Sequence, residues 1–221
     1  MSKTDRAVPI LLVVAMAMFG VAPFMIDRAP YESSMGLIQR IFYFHVPAAL
    51  TAMAAMTVCG IASAVYLRRR SETADHIALA AAEITVVLGL VTLVTGPIWA
   101  RKAWGIWWDW DARLTSALVM WMIAVSYLTL RRFGGAGSEV LAAALGLFGA
   151  VLVPFIYKSV DYWNTLHPKT SVLRSLPWAM WQPMLFCLAG FIVLATALIM
   201  VRVRLESART SLDRALLALE D

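Results

Sequence analysis

Two of the three histidines in this sequence flank a tryptophan-rich stretch and are the side chains best suited to binding a metal. His45 lies in the segment FYFHVP and His167 in the segment TLHP, each close to a proline that restricts the local backbone. Neutral imidazole is a common axial ligand of haem iron, and two imidazoles could hold the ring from opposite sides. Zinc is the alternative, but it needs three or four protein ligands, so Asp109 and Asp111 would have to complete the set. A single histidine at a hydrated membrane boundary is about as often a polar side chain without a ligand as it is a metal ligand. The interpretation as a metal site therefore rests on the pair.

The stretch between these histidines, residues 99–115, reads WARKAWGIWWDWDARLT and carries five of the nine tryptophans. If it were helical, one face would carry residues at i, i+3, i+4 and i+7, namely Trp104, Trp107, Trp108 and Asp111. Broad flat rings with cations nearby suit a large, planar, apolar ligand that bears carboxylates. For a haem, Arg40 and Arg113 could pair with the propionates through charge-assisted bonds, or they could contact lipid headgroups instead. An interfacial aromatic belt is the alternative explanation of the tryptophans.

Composition indicates a membrane protein. Of the 221 residues, 61% are hydrophobic and 15% charged, whereas a soluble domain has about 45–50% apolar and about 25% charged residues. The net charge of +5 does not indicate nucleic-acid binding, because the cations lie at the ends of apolar runs, as membrane orientation requires. Cys59 and Cys187 lie within apolar runs and no CxxC or CxxCH motif is present, so we interpret both as buried thiols.

Six apolar runs approach or exceed the length of about 20 residues that crosses a bilayer. They span residues 8–26, 44–67, 77–99, 114–130, 140–157 and 178–201. The sequence therefore predicts an all-α integral membrane protein with six transmembrane helices and a tryptophan-rich outer loop between the third and fourth spans. Residues 1–221 form one membrane domain, and the tail, 202–221, alternates leucines with charges, which predicts an amphipathic helix at the inner membrane surface or against a partner.

The distribution of cations orients these spans. Eleven lie on the side of the termini: Lys3, Arg6, Arg68, Arg69, Arg70, Arg131, Arg132, Arg202, Arg204, Arg209 and Arg214. Eight lie on the other side: Arg28, Arg40, Arg101, Lys102, Arg113, Lys158, Lys169 and Arg174. The positive-inside rule therefore predicts cytoplasmic termini and an outer tryptophan loop.

The predicted topology also distinguishes between a binding site and an aromatic belt as the explanation of the tryptophans. Eight of the nine tryptophans fall on the outer side, and the ninth, Trp121, falls within the fourth span. A belt should place tryptophans at both interfaces, so this one-sidedness favours a binding site on the outer face.

Glu83 is an acid in the inner third of the third predicted span, which makes it a functional candidate by default. At 1.5 Å per residue it lies roughly 25 Å from the outer loop, too far to touch a ligand there. The sequence does not distinguish between three possible contacts for this side chain: a span of a partner protein, a polar cavity or an interhelical hydroxyl.

The sequence resembles the CcmC family of haem-handling proteins of bacterial cytochrome c maturation. The matching segments are FYFHVPAA (42–49), TGPIWA (95–100), WGIWWDWDARLT (104–115) and SVDYWNTLHP (159–168). The resemblance covers all six spans in order. The related large synthetase subunits are much longer and usually continue WDPKE where this chain continues WDARLT.

The resemblance implies a binding and transfer protein rather than an enzyme. His45 and His167 would be the axial ligands of the iron of a non-covalently held haem b. The platform would consist of Trp104, Trp107, Trp108, Asp109, Trp110 and Asp111. Such proteins present haem at the periplasmic face of the inner membrane to the haem chaperone CcmE, beside the ABC-type subunits CcmA and CcmB and the single-span CcmD.

Two other functions stay open at this point. A b-type membrane cytochrome would place histidine pairs within its spans, and no histidine here is mid-span. A carrier that moves haem across the membrane would need several polar or broken spans along a path, for which Glu83 alone is thin support.

Overall fold

A computed structural model describes residues 3–32, 35–169 and 175–220. Within these ranges six long helices follow one another: α1 (Lys3–Asp27), α2 (Phe42–Arg69), α3 (Glu72–Trp104), α4 (Ala112–Phe133), α5 (Ser138–Tyr162) and α6 (Trp178–Glu220). A short 3-10 helix, Leu37–Ile41, leads directly into α2. Each long helix contains a segment long and apolar enough to cross a membrane, which confirms the prediction of an all-α protein with six spans. Arg174, one of the predicted outer cations, lies outside the described residues.

Helix α2 lies at the centre of the bundle, where it contacts α3, α5 and α6. Helix α1 packs on α6, and α4 packs on α5 and α3. The close approach of α2 to α5 depends on glycine, since a Cβ added to Gly60 would lie 2.2 Å from the Cβ of Ala150. Because α2 carries His45 and α5 leads into the segment of His167, this tight contact holds the two histidine-bearing parts of the chain together.

The tryptophan-rich stretch is not one helix. Helix α3 ends at Trp104 and is followed by Gly105 with φ +81°, a conformation that favours glycine and ends helices. Residues 105–111 are not helical, and α4 begins at Ala112 with Asp111 as its N-cap, whose side chain accepts the N–H of Leu114 at 2.8 Å. The helical face that Trp104 and Asp111 would share if the stretch were helical is therefore not formed, because a helix end and a new helix start lie between them.

Glu83 has a cationic partner. Its two carboxylate oxygens each accept from Arg202 Nε at 2.9 Å, and Arg202 Nη1 donates to Glu206 at 2.6 Å. None of the three contacts considered for Glu83 from the sequence was an arginine of the tail. The partners are 119 positions apart, so only the packing of α6 on α3 could bring them together.

The tail continues the sixth span without a break, since α6 runs from Trp178 to Glu220. Besides Arg202, its Ser207 contacts the start of α3, where Ser207 Oγ lies 3.1 Å from His76 Nδ1. The tail is thus helical and anchored to α3, and its position at the inner membrane surface stays a prediction.

Candidate functional site

A cavity of about 230 Å³ lies where α3 ends and α4 begins, between these helices, α2 and α5. Both predicted histidines line it, although one belongs to a helix and the other to the segment after α5. Its deeper wall is apolar and includes Met53, Leu93 and Met120. The aromatic and charged residues around the histidines include Trp99, Trp104, Trp108, Arg113 and Lys169.

His45 is held in the first turns of α2 and is only 7% exposed. Its Nδ1 lies 2.8 Å from Thr95 Oγ1, and its ring packs edge to face on Trp99 with centroids 5.7 Å apart. The backbone of Gly96 lies beside the ring, because a Cβ added there would be 3.2 Å from His45 Cε1. One turn of α3 therefore surrounds the imidazole on several sides.

His167 is partly buried in the segment between α5 and α6. Its backbone N–H donates to Thr165 Oγ1 at 3.0 Å, and Thr165 Oγ1 in turn donates to the carboxylate of Asp111. Its ring Nδ1 lies 3.0 Å from the Pro168 carbonyl, which can only accept, so the proton of the neutral ring is on Nδ1. The other ring nitrogen, Nε2, is left with a free lone pair, which is the form that binds a metal.

The charge state of His167 follows from its surroundings. Burial, and secondly the positive charge of Arg113, lower the pKa of His167 to about 4, compared with about 6.5 for an unperturbed histidine. The Pro168 carbonyl and Asp111 act in the opposite direction without restoring that value. The ring is therefore neutral at pH 7.

A pH titration checks this prediction. A lowered pKa means that the charged ring appears only on acidification, so we expect His167 to remain neutral from pH 8 down to about pH 5. Nitrogen-15 NMR of the ring in the haem-free protein should show no protonation step near pH 6.5, with the signal assigned by its loss in His167→Gln. A midpoint near pH 6.5 would contradict the prediction.

The structure divides the predicted platform into two parts. Trp104 and Trp108 line the cavity, whereas Trp107 and Trp110 are 60% and 74% exposed and are not among the lining residues. Asp109 is also absent from the lining. The division follows from the end of α3, because after Gly105 the chain no longer repeats with helical periodicity.

Trp99 lines the cavity, although it is not among the platform residues predicted from the sequence. It is buried, packs against His45, and stacks on Trp104 with centroids 6.3 Å apart and planes at 25°. A signal was present in the sequence, because Trp99 belongs to the segment TGPIWA that carries part of the family resemblance.

Asp111 connects two parts of the site. It is buried, with one carboxylate oxygen capping α4 and the other accepting from Thr165, two residues before His167. Both oxygens thus have protein partners, and the carboxylate joins the start of α4 to the segment that carries His167.

The two arginines proposed for propionates are placed differently. Arg113 lines the cavity and donates to the Ile156 carbonyl near the end of α5. Arg40 is not among the lining residues, and its guanidinium is paired with Asp27 at 2.8 Å and lies 3.2 Å from the Tyr31 hydroxyl. The structure therefore brings Arg113, and not Arg40, to the two histidines.

Comparison with known proteins places this chain in a family. Residues 1–217 match the family described as CcmC, Heme exporter protein C. The chain is 36% identical to Heme exporter protein C of Escherichia coli (strain K12) over 183 residues, which cover 80% of this chain and 73% of that protein. It is 34% identical to the protein of the same name from Bradyrhizobium diazoefficiens over 215 residues, covering 95% and 82%. For Haemophilus influenzae the identity is 33% over 196 residues, covering 84% and 78%. The chain, with its six spans and its cavity of histidines and tryptophans, belongs to the heme exporter protein C (CcmC) family.

Proposed function

We propose that this protein is a haem-handling membrane component of cytochrome c biogenesis, which binds haem in the cavity with His45 and His167 as axial ligands of the iron. The observation that carries the proposal is that both histidines line one cavity although they lie in different segments of the chain. Imidazole is a nitrogen ligand that haem iron takes readily. The name of the relatives, Heme exporter protein C, indicates the same cargo.

The other lining residues suit the remaining parts of a haem. The stacked indoles of Trp99 and Trp104 offer a flat surface against the porphyrin. Arg113 and Lys169 supply positive charge for the propionates. Trp108 Nε1 is buried and has no acceptor among the described residues, so it supplies a further donor for a carboxylate.

The size of the cavity favours a haem that is only partly enclosed. Its volume of about 230 Å³ is below the roughly 300–1,000 Å³ of pockets that bury most of a drug-sized ligand. We infer that the cavity takes the iron with part of the porphyrin, and that the remaining part stays outside, next to the exposed Trp107 and Trp110. Partial enclosure suits a protein that holds haem transiently and passes it on.

The positions of the cysteines and of the other potential metal ligands favour a non-covalently bound haem over a covalently bound haem or a zinc ion. Cys59 and Cys187 are free and buried, as predicted, and neither lines the cavity, so no thiol is offered for a covalent bond. Within residues 3–32, 35–169 and 175–220, no three His, Cys, Asp or Glu side chains group closely enough to hold a metal ion. A zinc site needs three or four such ligands, and an axially ligated haem needs two.

Haem transfer is the second part of the proposal. We propose that the site faces the periplasm at the bacterial inner membrane, with both termini in the cytoplasm, and that the haem passes to the chaperone CcmE, on which the covalent bond is made. The ABC-type subunits CcmA and CcmB and the small CcmD would assemble with this chain. On this proposal the chain itself binds and transfers haem and is not an enzyme.

Co-expression of the chain with CcmE and the other proposed subunits tests the transfer, with haem-stained gels to measure covalent haem on the chaperone. The double variant Trp104→Ala/Trp108→Ala should lower that signal about tenfold, since each aromatic contact contributes about 0.5–1.5 kcal/mol. Trp163→Ala is the matched control, because Trp163 is an exposed tryptophan that packs on Phe155 and does not line the cavity. Its signal should equal that of the wild type.

Three outcomes would contradict the proposal. The first is an equal loss of signal in the Trp163 control. The second is labelling of Trp110→Cys by a membrane-impermeant maleimide only after lysis, in a background without Cys59 and Cys187, because the site would then face the cytosol. The third is haem flux through proteoliposomes of this chain alone, which would favour a haem carrier.

A further inference from the structure

We infer that Thr95 is a positioning residue that fixes the tautomer of His45 and leaves its Nε2 free for iron. The inference rests on the proposed function above, because it concerns one of the two proposed axial ligands. It assigns a task to a residue of α3 that carries no proposed contact with haem.

The hydrogen bonds of Thr95 determine the direction of its contact with His45. A threonine hydroxyl has one proton to donate. Thr95 Oγ1 lies 2.7 Å from the carbonyl of Val91, which can only accept, so the proton goes there. The contact between Thr95 Oγ1 and His45 Nδ1, at 2.8 Å, must then have the imidazole as donor. Because a neutral imidazole carries one proton, Nε2 keeps its lone pair.

The neighbours of Thr95 hold the ring in this orientation. Gly96 provides the space for the imidazole, since a Cβ there would lie 3.2 Å from His45 Cε1. Trp99, one turn further along α3, packs edge to face on the same ring. Thr95 is itself β-branched, which restricts its χ1 angle and keeps the acceptor in place.

The two proposed ligands then have the same tautomer, each held by a hydrogen bond from Nδ1. His167 Nδ1 donates to the Pro168 carbonyl, and His45 Nδ1 donates to the Thr95 hydroxyl. Each ring is bound through Nδ1 and offers Nε2. Such a bond to the second nitrogen of a metal-bound histidine orients the ring and raises its basicity, and its loss typically costs about 10–100-fold in metal affinity.

Thr95→Val tests the inference, with Thr85→Val as the matched control. Thr85 lies on the same helix outside the lining of the cavity and donates to the Ala81 carbonyl at 2.9 Å, so both variants lose the same kind of intrahelical bond. Of these two threonines, only Thr95 has its hydroxyl against His45. Nitrogen-15 NMR of the haem-free protein should show His45 protonated on Nδ1 in the wild type and in Thr85→Val. In Thr95→Val the proton should shift towards Nε2, the form that histidine prefers in water.

The haem-loaded protein gives a second readout. Thr95→Val should lower haem affinity by about 10–100-fold relative to Thr85→Val. It should also raise the midpoint potential, because a less basic ligand stabilises ferric iron less. Thr95→Ser keeps the acceptor and should restore both values. Circular dichroism melting of all three variants separates these effects from a loss of fold.

The outcomes separate this inference from the proposed function. If His45→Ala alters the haem spectrum while Thr95→Val matches Thr85→Val in tautomer and affinity, the inference is overturned and the proposed ligand stands. If His45→Ala leaves the haem spectrum unchanged, the proposed ligation fails, and the inference that rests on it fails too, whatever tautomer the haem-free protein shows.

Discussion

Replacing His45 or His167 by alanine is expected to lower the haem affinity of the purified protein by at least about a hundredfold, because loss of an outer-shell partner alone costs up to that much. Each variant removes one of the two imidazoles that line the cavity. The Soret band of the remaining complex should shift and weaken, since the iron would keep only one protein ligand. Titration of haem into the detergent-solubilised protein, followed by absorption spectroscopy, measures both quantities.

The third histidine of the chain is the matched control. His76 lies near the start of α3, away from the cavity, where its Nδ1 is 3.1 Å from Ser207 Oγ. His76→Ala should leave the haem spectrum and affinity unchanged. Spectra of His45→Ala and His167→Ala that both equal the wild-type spectrum would refute the proposed ligation.

Asp111→Ala is expected to lower haem affinity by about tenfold, although we propose no direct bond between this carboxylate and haem. Asp111 accepts from Thr165, which in turn accepts the backbone N–H of His167. Removal of the carboxylate therefore frees the segment that holds one proposed ligand. The variant also loses the N-cap of α4, which contributes about 1 kcal/mol to the free energy of unfolding.

Ser71→Ala separates these two effects. Ser71 caps the start of α3 by accepting the N–H of Ala74 at 3.3 Å, whereas the cavity lies at the other end of that helix. The loss of the Ser71 side chain therefore removes a cap and leaves the site unchanged. We expect a similar small loss of stability in thermal melts and no change in haem affinity. Thr165→Val should reproduce the affinity loss of Asp111→Ala without the loss of the cap. Equal haem affinity in Asp111→Ala and Ser71→Ala would show that Asp111 only caps the helix.

The divided tryptophan stretch has a consequence for haem release. Three indoles, Trp99, Trp104 and Trp108, line the cavity, while Trp107 and Trp110 lie exposed beyond it. Trp108 and Trp110 touch edge to face with centroids 5.7 Å apart, so the two groups are continuous. On the proposed function, a haem leaving the cavity would keep an aromatic surface beside it and would not pass directly into water.

The membrane architecture was predictable from the sequence because each span makes its main backbone hydrogen bonds within itself. A run of apolar residues such as 178–201 is sufficient to indicate a helix, whatever its neighbours are. The start of α4 was also visible locally, since Asp111 is a favoured N-cap residue and Gly105 a favoured helix-ending residue. These two signals explain why the stretch between the third and fourth spans is a loop and not one continuous helix.

Sequence alone therefore determined six spans, two buried thiols and the residue types able to bind haem. Only the tertiary structure decided which side chains meet: His45 with Thr95 and Trp99, Glu83 with Arg202, and Arg40 with Asp27 outside the lining of the cavity. The physical reason is the separation along the chain between the residues that interact. Helix formation depends on hydrogen bonds between residues four positions apart, whereas a pair such as Glu83 and Arg202 forms only when two helices pack at one particular rotation and depth.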